Sequence, residues 1–108
     1  MWLVRDDEVL AAVEVAGDAR LRRKGLLGRD NFEGALVLRP CRHVHTIGMR
    51  FAIDVAFCDV QGVVLKTRTL APWRLSPLVY RAAFAVEATA GAFERWRLQA
   101  GDRLELRG

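Results

Sequence analysis

Hydrophobic and polar positions alternate along this chain in short runs, and the runs read as strands. Phe51, Ile53, Val55 and Phe57 fall on one face of an extended segment, with Ala52, Asp54, Ala56 and Cys58 on the other. From Ala82 to Ala88, Phe84, Val86 and Ala88 oppose Ala83, Ala85 and Glu87. Both segments are apolar on both faces except for a single acid, as in strands buried on two sides. Trp2 to Arg5 and Val9 to Val15 flank an acidic turn at Asp6-Asp7-Glu8 and predict an opening hairpin. Gly34 to Leu38 predicts a buried strand stopped by Pro40. Asp59-Val60-Gln61-Gly62 has the composition of a hairpin turn into Val63 to Leu70, and Gly101-Asp102 turns the chain into a closing strand, Arg103 to Arg107.

Helical signals are few. Asp18 suits the N-cap of a short helix that starts at Ala19 and ends near Gly28, and Thr89 suits the cap of a second that runs to Trp96. A Pro-flanked loop from Ala71 to Pro77 separates two of the strands. About seven short strands and two short helices, in runs rather than in regular β-α alternation, predict an α+β, mostly-β fold. The expected architecture is a small, partly closed barrel of largely antiparallel strands with a helix packed on it.

At 108 residues the chain is expected to be a single domain, 1–108, large enough to bury a core without staples. Seventeen Lys+Arg, fifteen of them Arg, stand against thirteen Asp+Glu. The resulting +4 is too small an excess to predict nucleic-acid binding. Cys41 and Cys58 make no framework and are expected as free thiols. No apolar run approaches the roughly 18 residues of a membrane span, and Asp6-Asp7-Glu8 sits where a secretory signal needs apolar residues. The expectation is a soluble, cytoplasmic protein with no membrane partner.

The chemistry concentrates around two carboxylates. Asp54 and Glu87 are each the lone charge of an apolar strand and each share a face with small alanines, which leaves room for a partner or a ligand. Buried carboxylates need partners, and with many arginines available an Arg-paired brace is the favoured reading. Two acids brought together could instead split their pKa values for acid-base work. Cys41, His43 and His45 recur at spacing two, but the chain offers no matched second half for a structural zinc, so no metal is expected. Ser76, the sole serine, lacks a Gly-x-Ser-x-Gly frame, and no phosphate-cradling glycine loop is present. Arg20, Arg22, Arg23, Lys24 and Arg29 form a basic stretch, of which Arg20, Arg23 and Arg29 are candidates for contact with an anion.

Several pieces together resemble the family known as domain of unknown function 192, an uncharacterised protein family. They are Arg23-Lys24-Gly25-Leu26-Leu27-Gly28-Arg29, the run from His45 to Phe57, Asp59-Val60-Gln61-Gly62-Val63-Val64, Val86-Glu87-Ala88-Thr89-Ala90-Gly91 and Gly101-Asp102. The resemblance covers nearly the whole chain and implies a compact, β-rich α+β domain. It implies no activity. Many members of the family have an aromatic-Met-Lys-Asn-Thr run and a Pro before the strand. Here His45 to Met49 stands for the run and Ala52 for the Pro, so no role of that lysine carries over. The acids at Asp54 and Glu87 match the family pattern.

The expected function is therefore that of a small binding or accessory domain. Its pocket, floored by Asp54 and Glu87, edged by His45, Met49 and Arg50 and rimmed by Trp73, would take a small polar or anionic ligand. The alternatives are a hydrolase-like or metal-assisted enzyme using His45 with Asp54 or Glu87, and a basic module for an acidic partner or nucleic acid. No feature of the sequence specifies a cofactor, a reaction or an oligomeric state.

Overall fold

The computed structural model describes residues 1–29 and 32–108, excluding the side chain of Arg23. Strand β1 (Trp2–Arg5) and strand β2 (Glu8–Ala16) form the expected hairpin, with Asp6 and Asp7 at φ 49° and 65° in its turn. Helix α1 (Ala19–Lys24) follows, and the Asp18 carboxylate accepts the Leu21 N–H at 2.8 Å. The helix ends at Lys24, short of Gly28, because Gly25 takes φ 48° and sends its own N–H back to the Leu21 carbonyl at 2.9 Å. Strand β3 (Ala35–Leu38) leads to a cis Arg39–Pro40 bond. Strands β4 (Ile53–Cys58), β5 (Val64–Leu70) and β6 (Phe84–Thr89), helix α2 (Ala92–Trp96) and strand β7 (Glu105–Arg107) complete the chain.

Among the described residues seven strands make one mixed sheet in the order β5-β4-β6-β3-β2-β1-β7. β2 and β3 run parallel, with α1 in the crossover between them, and the other neighbours pair antiparallel. β5 and β7 are the sheet edges, yet the sheet curls until the residues beside them meet. Val63 bridges Arg103, the Val64 N–H reaches the Asp102 carbonyl at 2.8 Å, and the Leu104 N–H reaches the Gly62 carbonyl at 2.8 Å. Gly62, at φ 86°, permits this approach, since a Cβ there would stand 2.2 Å from the Leu104 oxygen. Asp59 sets up the turn by accepting the N–H groups of Gln61 and Val63 at 2.9 and 3.0 Å. The result is the expected partly closed barrel.

Strand alternation divides the core in two. Ala35, Val37, Ala56, Cys58, Phe84, Val86 and Ala88 face the enclosed side, where they pack with Leu3, Val64, Phe93, Leu98 and Leu104. Leu36, Leu38, Ile53, Val55, Phe57 and Ala85 face outward, where Leu26 after α1 and Val44 and Met49 of the 39–52 segment cover them. All six residues of β4 are buried, which is why its sequence shows no polar face. Among the described residues no helix is long and apolar enough to cross a membrane.

Candidate functional site

Register decides where the two acids go. Across the β4–β6 ladder Val55 opposes Glu87 and Asp54 opposes Ala88. Opposed residues share a face and successive residues alternate, so the two carboxylates project to opposite sides of the sheet. The single pocket floored by both, expected from the sequence, does not form.

Asp54 lies on the enclosed side and is 3% exposed. Its Oδ2 accepts the N–H groups of Gly91 and Phe93 at 3.0 and 3.1 Å, and its Oδ1 accepts the Thr69 hydroxyl at 2.6 Å. It therefore caps α2 from a neighbouring strand and neutralises amides left unpaired at the helix start. The expected Thr89 cap is replaced by this one: Gly91 is the N-cap position, and the Thr89 hydroxyl instead donates to the Phe32 carbonyl. Among the described residues no Arg pairs with Asp54, which backbone amides and a hydroxyl hold instead.

Glu87 lies on the outward side and is also 3% exposed, but its surroundings differ. It floors a cavity of about 400 Å³ bounded by α1 and the turn after it on one side and the 40–49 segment on the other. Among the described residues its carboxyl group has no hydrogen-bond or ion-pair partner. Burial pushes its pKa up to about 7. Gly25 makes the enclosure possible: with φ 48°, it brings the chain so close that a Cβ would sit 3.2 Å from Glu87 Oε1.

The cavity walls are apolar (Leu26, Leu27, Leu38, Val44, Ile47 and Met49), whereas Arg22, Lys24, Arg42, His43 and His45 supply its remaining charged or ionisable lining, with Cys41 beside them. The Arg22 guanidinium is steadied by the Gly17 carbonyl at 2.9 Å. His45 Nδ1 accepts the Ile47 N–H at 3.2 Å, so the neutral ring carries its proton on Nε2. Burial raises the Cys41 thiol to about 11, Glu87 adding to the effect, and the thiol donates to the His43 carbonyl at 3.1 Å. A thiolate-imidazole pair is thereby disfavoured at Cys41. Cys58 lies in the enclosed core, where burial raises it to about 12.

The 40–49 wall is fixed from behind. Thr46, fully buried, gives its hydroxyl to the Ala71 carbonyl at 2.6 Å and its N–H to the Arg74 carbonyl at 2.8 Å. Ser76 Oγ accepts the Val44 N–H at 2.8 Å, and His45 bridges Leu75. The Pro-flanked loop thus braces the cavity wall rather than rimming its mouth.

Of the expected site residues, His45, Met49 and Glu87 line this cavity together. Asp54, Arg50 and Trp73 are not part of its lining, and Trp73 is 64% exposed on the bracing loop. Arg20 is exposed on α1 away from the cavity. Arg29 is engaged elsewhere, with Glu14 at 3.1 Å and over the Phe32 ring at 4.9 Å. The Arg23 side chain lies outside the described residues. Sequence reasoning missed Arg42 as a lining residue and Thr46 as the pin of the wall; no spacing rule points to either. Among the described residues no three of His, Cys, Asp and Glu gather as a metal-ligand group.

The sequence matches the profile of DUF192, described as "Uncharacterized ACR", over residues 2–106. A UPF0127 protein of Pyrococcus furiosus is 39% identical over 62 residues, which is 57% of this chain and 53% of that protein. This chain thus spans about half the length of that relative. A UPF0127 protein of Pyrococcus abyssi is 26% identical over 98 residues, covering 86% of this chain and 84% of the other. Two crystal structures share the fold, each with a TM-score of 0.79. One is a protein of unknown function from Novosphingobium aromaticivorans, 18% identical and covering 87% of this chain and 74% of that one. The other, from Sinorhizobium meliloti, carries a provisional description as a transcription regulator; it is 20% identical and covers 96% of this chain and 89% of that one.

Proposed function

Starting from the fact that the chain belongs to the DUF192 family, whose function is uncharacterised, we propose that it is a small-ligand-binding domain whose site is the cavity over Glu87. One observation carries the reading. Glu87 is a buried carboxyl group with no protein partner among the described residues, facing a cavity large enough for a small molecule. Burying an acid without a partner costs free energy, and a fold retains such a cost most readily where a ligand offsets it. The apolar walls supply contact area, while the acid and the surrounding cations fix orientation, the usual division of labour in ligand pockets.

Asp54 has no part in this function, since both its oxygens are taken by α2 and Thr69. The two free thiols fit a reducing compartment such as the cytoplasm. A fragment library containing amines, carboxylates and zwitterions, followed by backbone amide shifts, tests the proposal. Binding should move the amides of residues 22–27 and 41–49. Hits that map only to the exposed 71–80 loop, or a library that moves neither segment, would refute it.

A further inference from the structure

The lining of the Glu87 cavity is bipolar. Among the described residues the lining holds one acid, the buried carboxyl group of Glu87, together with cations from α1 and from the 40–49 segment. Neither Lys24 nor Arg42 forms a salt bridge with any other described residue. The same lining includes the apolar side chains of Leu26, Leu38, Val44 and Met49. An ion of one sign satisfies one end of such a lining and meets like charge at the other, which disfavours it.

Resting on the binding role proposed above, we infer that the ligand is a small zwitterion: an ammonium group received by Glu87, a short apolar body, and a carboxylate or other anionic group held by Arg42 and Lys24. Each end then makes a charge-assisted hydrogen bond in a partly desolvated site, and each such bond is worth about tenfold or more in affinity. The pKa of Glu87, about 7, means that the floor ionises within the range where a proton-bearing amine arrives to pair with it. The charged and titratable groups that line the cavity with it are Arg22 and Lys24 on α1 and Cys41, Arg42, His43 and His45 on the 40–49 segment.

The probes are the ω-amino acids from glycine to 6-aminohexanoate, set against n-alkylamines and n-alkanoates of matched length. Binding is followed by calorimetry and by amide shifts, above neutral pH. Some member of the ω-amino acid series should bind about tenfold or more tighter than its matched amine and its matched alkanoate. Glu87→Gln should weaken the ω-amino acid and the amine and leave the alkanoate alone, whereas Arg42→Gln should weaken the ω-amino acid and the alkanoate and leave the amine alone. Glu87→Asp, which withdraws the carboxylate by a methylene, should shift the preferred ω-amino acid to a longer member; it keeps the test available if Glu87→Gln misfolds. Alkanoates that bind best and ignore Glu87→Gln would overturn the zwitterion while leaving the pocket as the site. No shift of the cavity amides with any series would overturn both.

Discussion

Val55 and Glu87 stand opposite each other across the β4–β6 ladder, and that one pairing sets Glu87 on the far side of the sheet from Asp54. Two acids with the same sequence context therefore do different work. Asp54 is spent on the start of a helix, and Glu87 is left facing a cavity.

Asp54→Ala should destabilise the protein by about 2–5 kcal/mol, because it strips partners from two amides and a hydroxyl at once. Asp54→Asn, which retains an accepting oxygen, should cost less. Urea denaturation measures both. In whatever fraction stays folded, affinity for the best ω-amino acid should be that of the wild type, since the substituted side chain lies on the other face of the sheet.

Glu87 imposes a pH dependence whose sign follows from its raised pKa. Burial lifts it from 4.5 to about 7, so the folded state prefers the protonated acid. Its contribution is fully present below about pH 4.5, declines as pH rises to about 7, and is level above that, a loss of the order of 3 kcal/mol. Glu87→Gln should remove this decline. Melting curves taken across that pH range should converge at the acid end and separate in the variant's favour at the alkaline end. A wild-type protein that gains stability from Glu87 as pH rises would show that the acid is paired in solution.

Cys41 should be a slow nucleophile. With its thiol at about 11 instead of 9.0, alkylation by iodoacetamide at neutral pH should run about a hundredfold slower than for an unperturbed thiol. Cys58 should react only on unfolding, as it lies in the enclosed core. Because Cys41 lines the cavity, a bound ω-amino acid should slow its alkylation further, and mass spectrometry reads all three rates.

Gly25→Ala should cost about 1–2 kcal/mol, as φ 48° with ψ −126° suits glycine alone and the new Cβ would approach Glu87 Oε1 at 3.2 Å. The same substitution should weaken probe binding by crowding the carboxyl group. Equal affinity in the variant would mean that the ligand does not reach the cavity floor.

Much of the fold could be read from local signals. Alternation over residues 51–58 and 82–88 marks two strands, and Asp18 and Asp59 act where short-range side-chain chemistry says they should. The face each acid occupies within its own strand was legible too. Which way the two strands pair was not, because register depends on partners far along the chain. Asp54 shows the same limit: it caps amides 37 and 39 residues away, so no local rule could prefer it to Thr89. The cavity was half legible, as Glu87, His45 and Met49 stand out in the sequence, while Arg42 joins them only once the wall is folded.

The fully buried strand β4 acts as a partition wall between two compartments. Odd positions of β4 and β6 answer to the cavity side and even positions to the barrel interior. Substitutions at odd positions therefore act on the layer behind the Glu87 cavity, and those at even positions act on the other face of the sheet. A scaffold of this kind can change what it holds while leaving intact what holds it together.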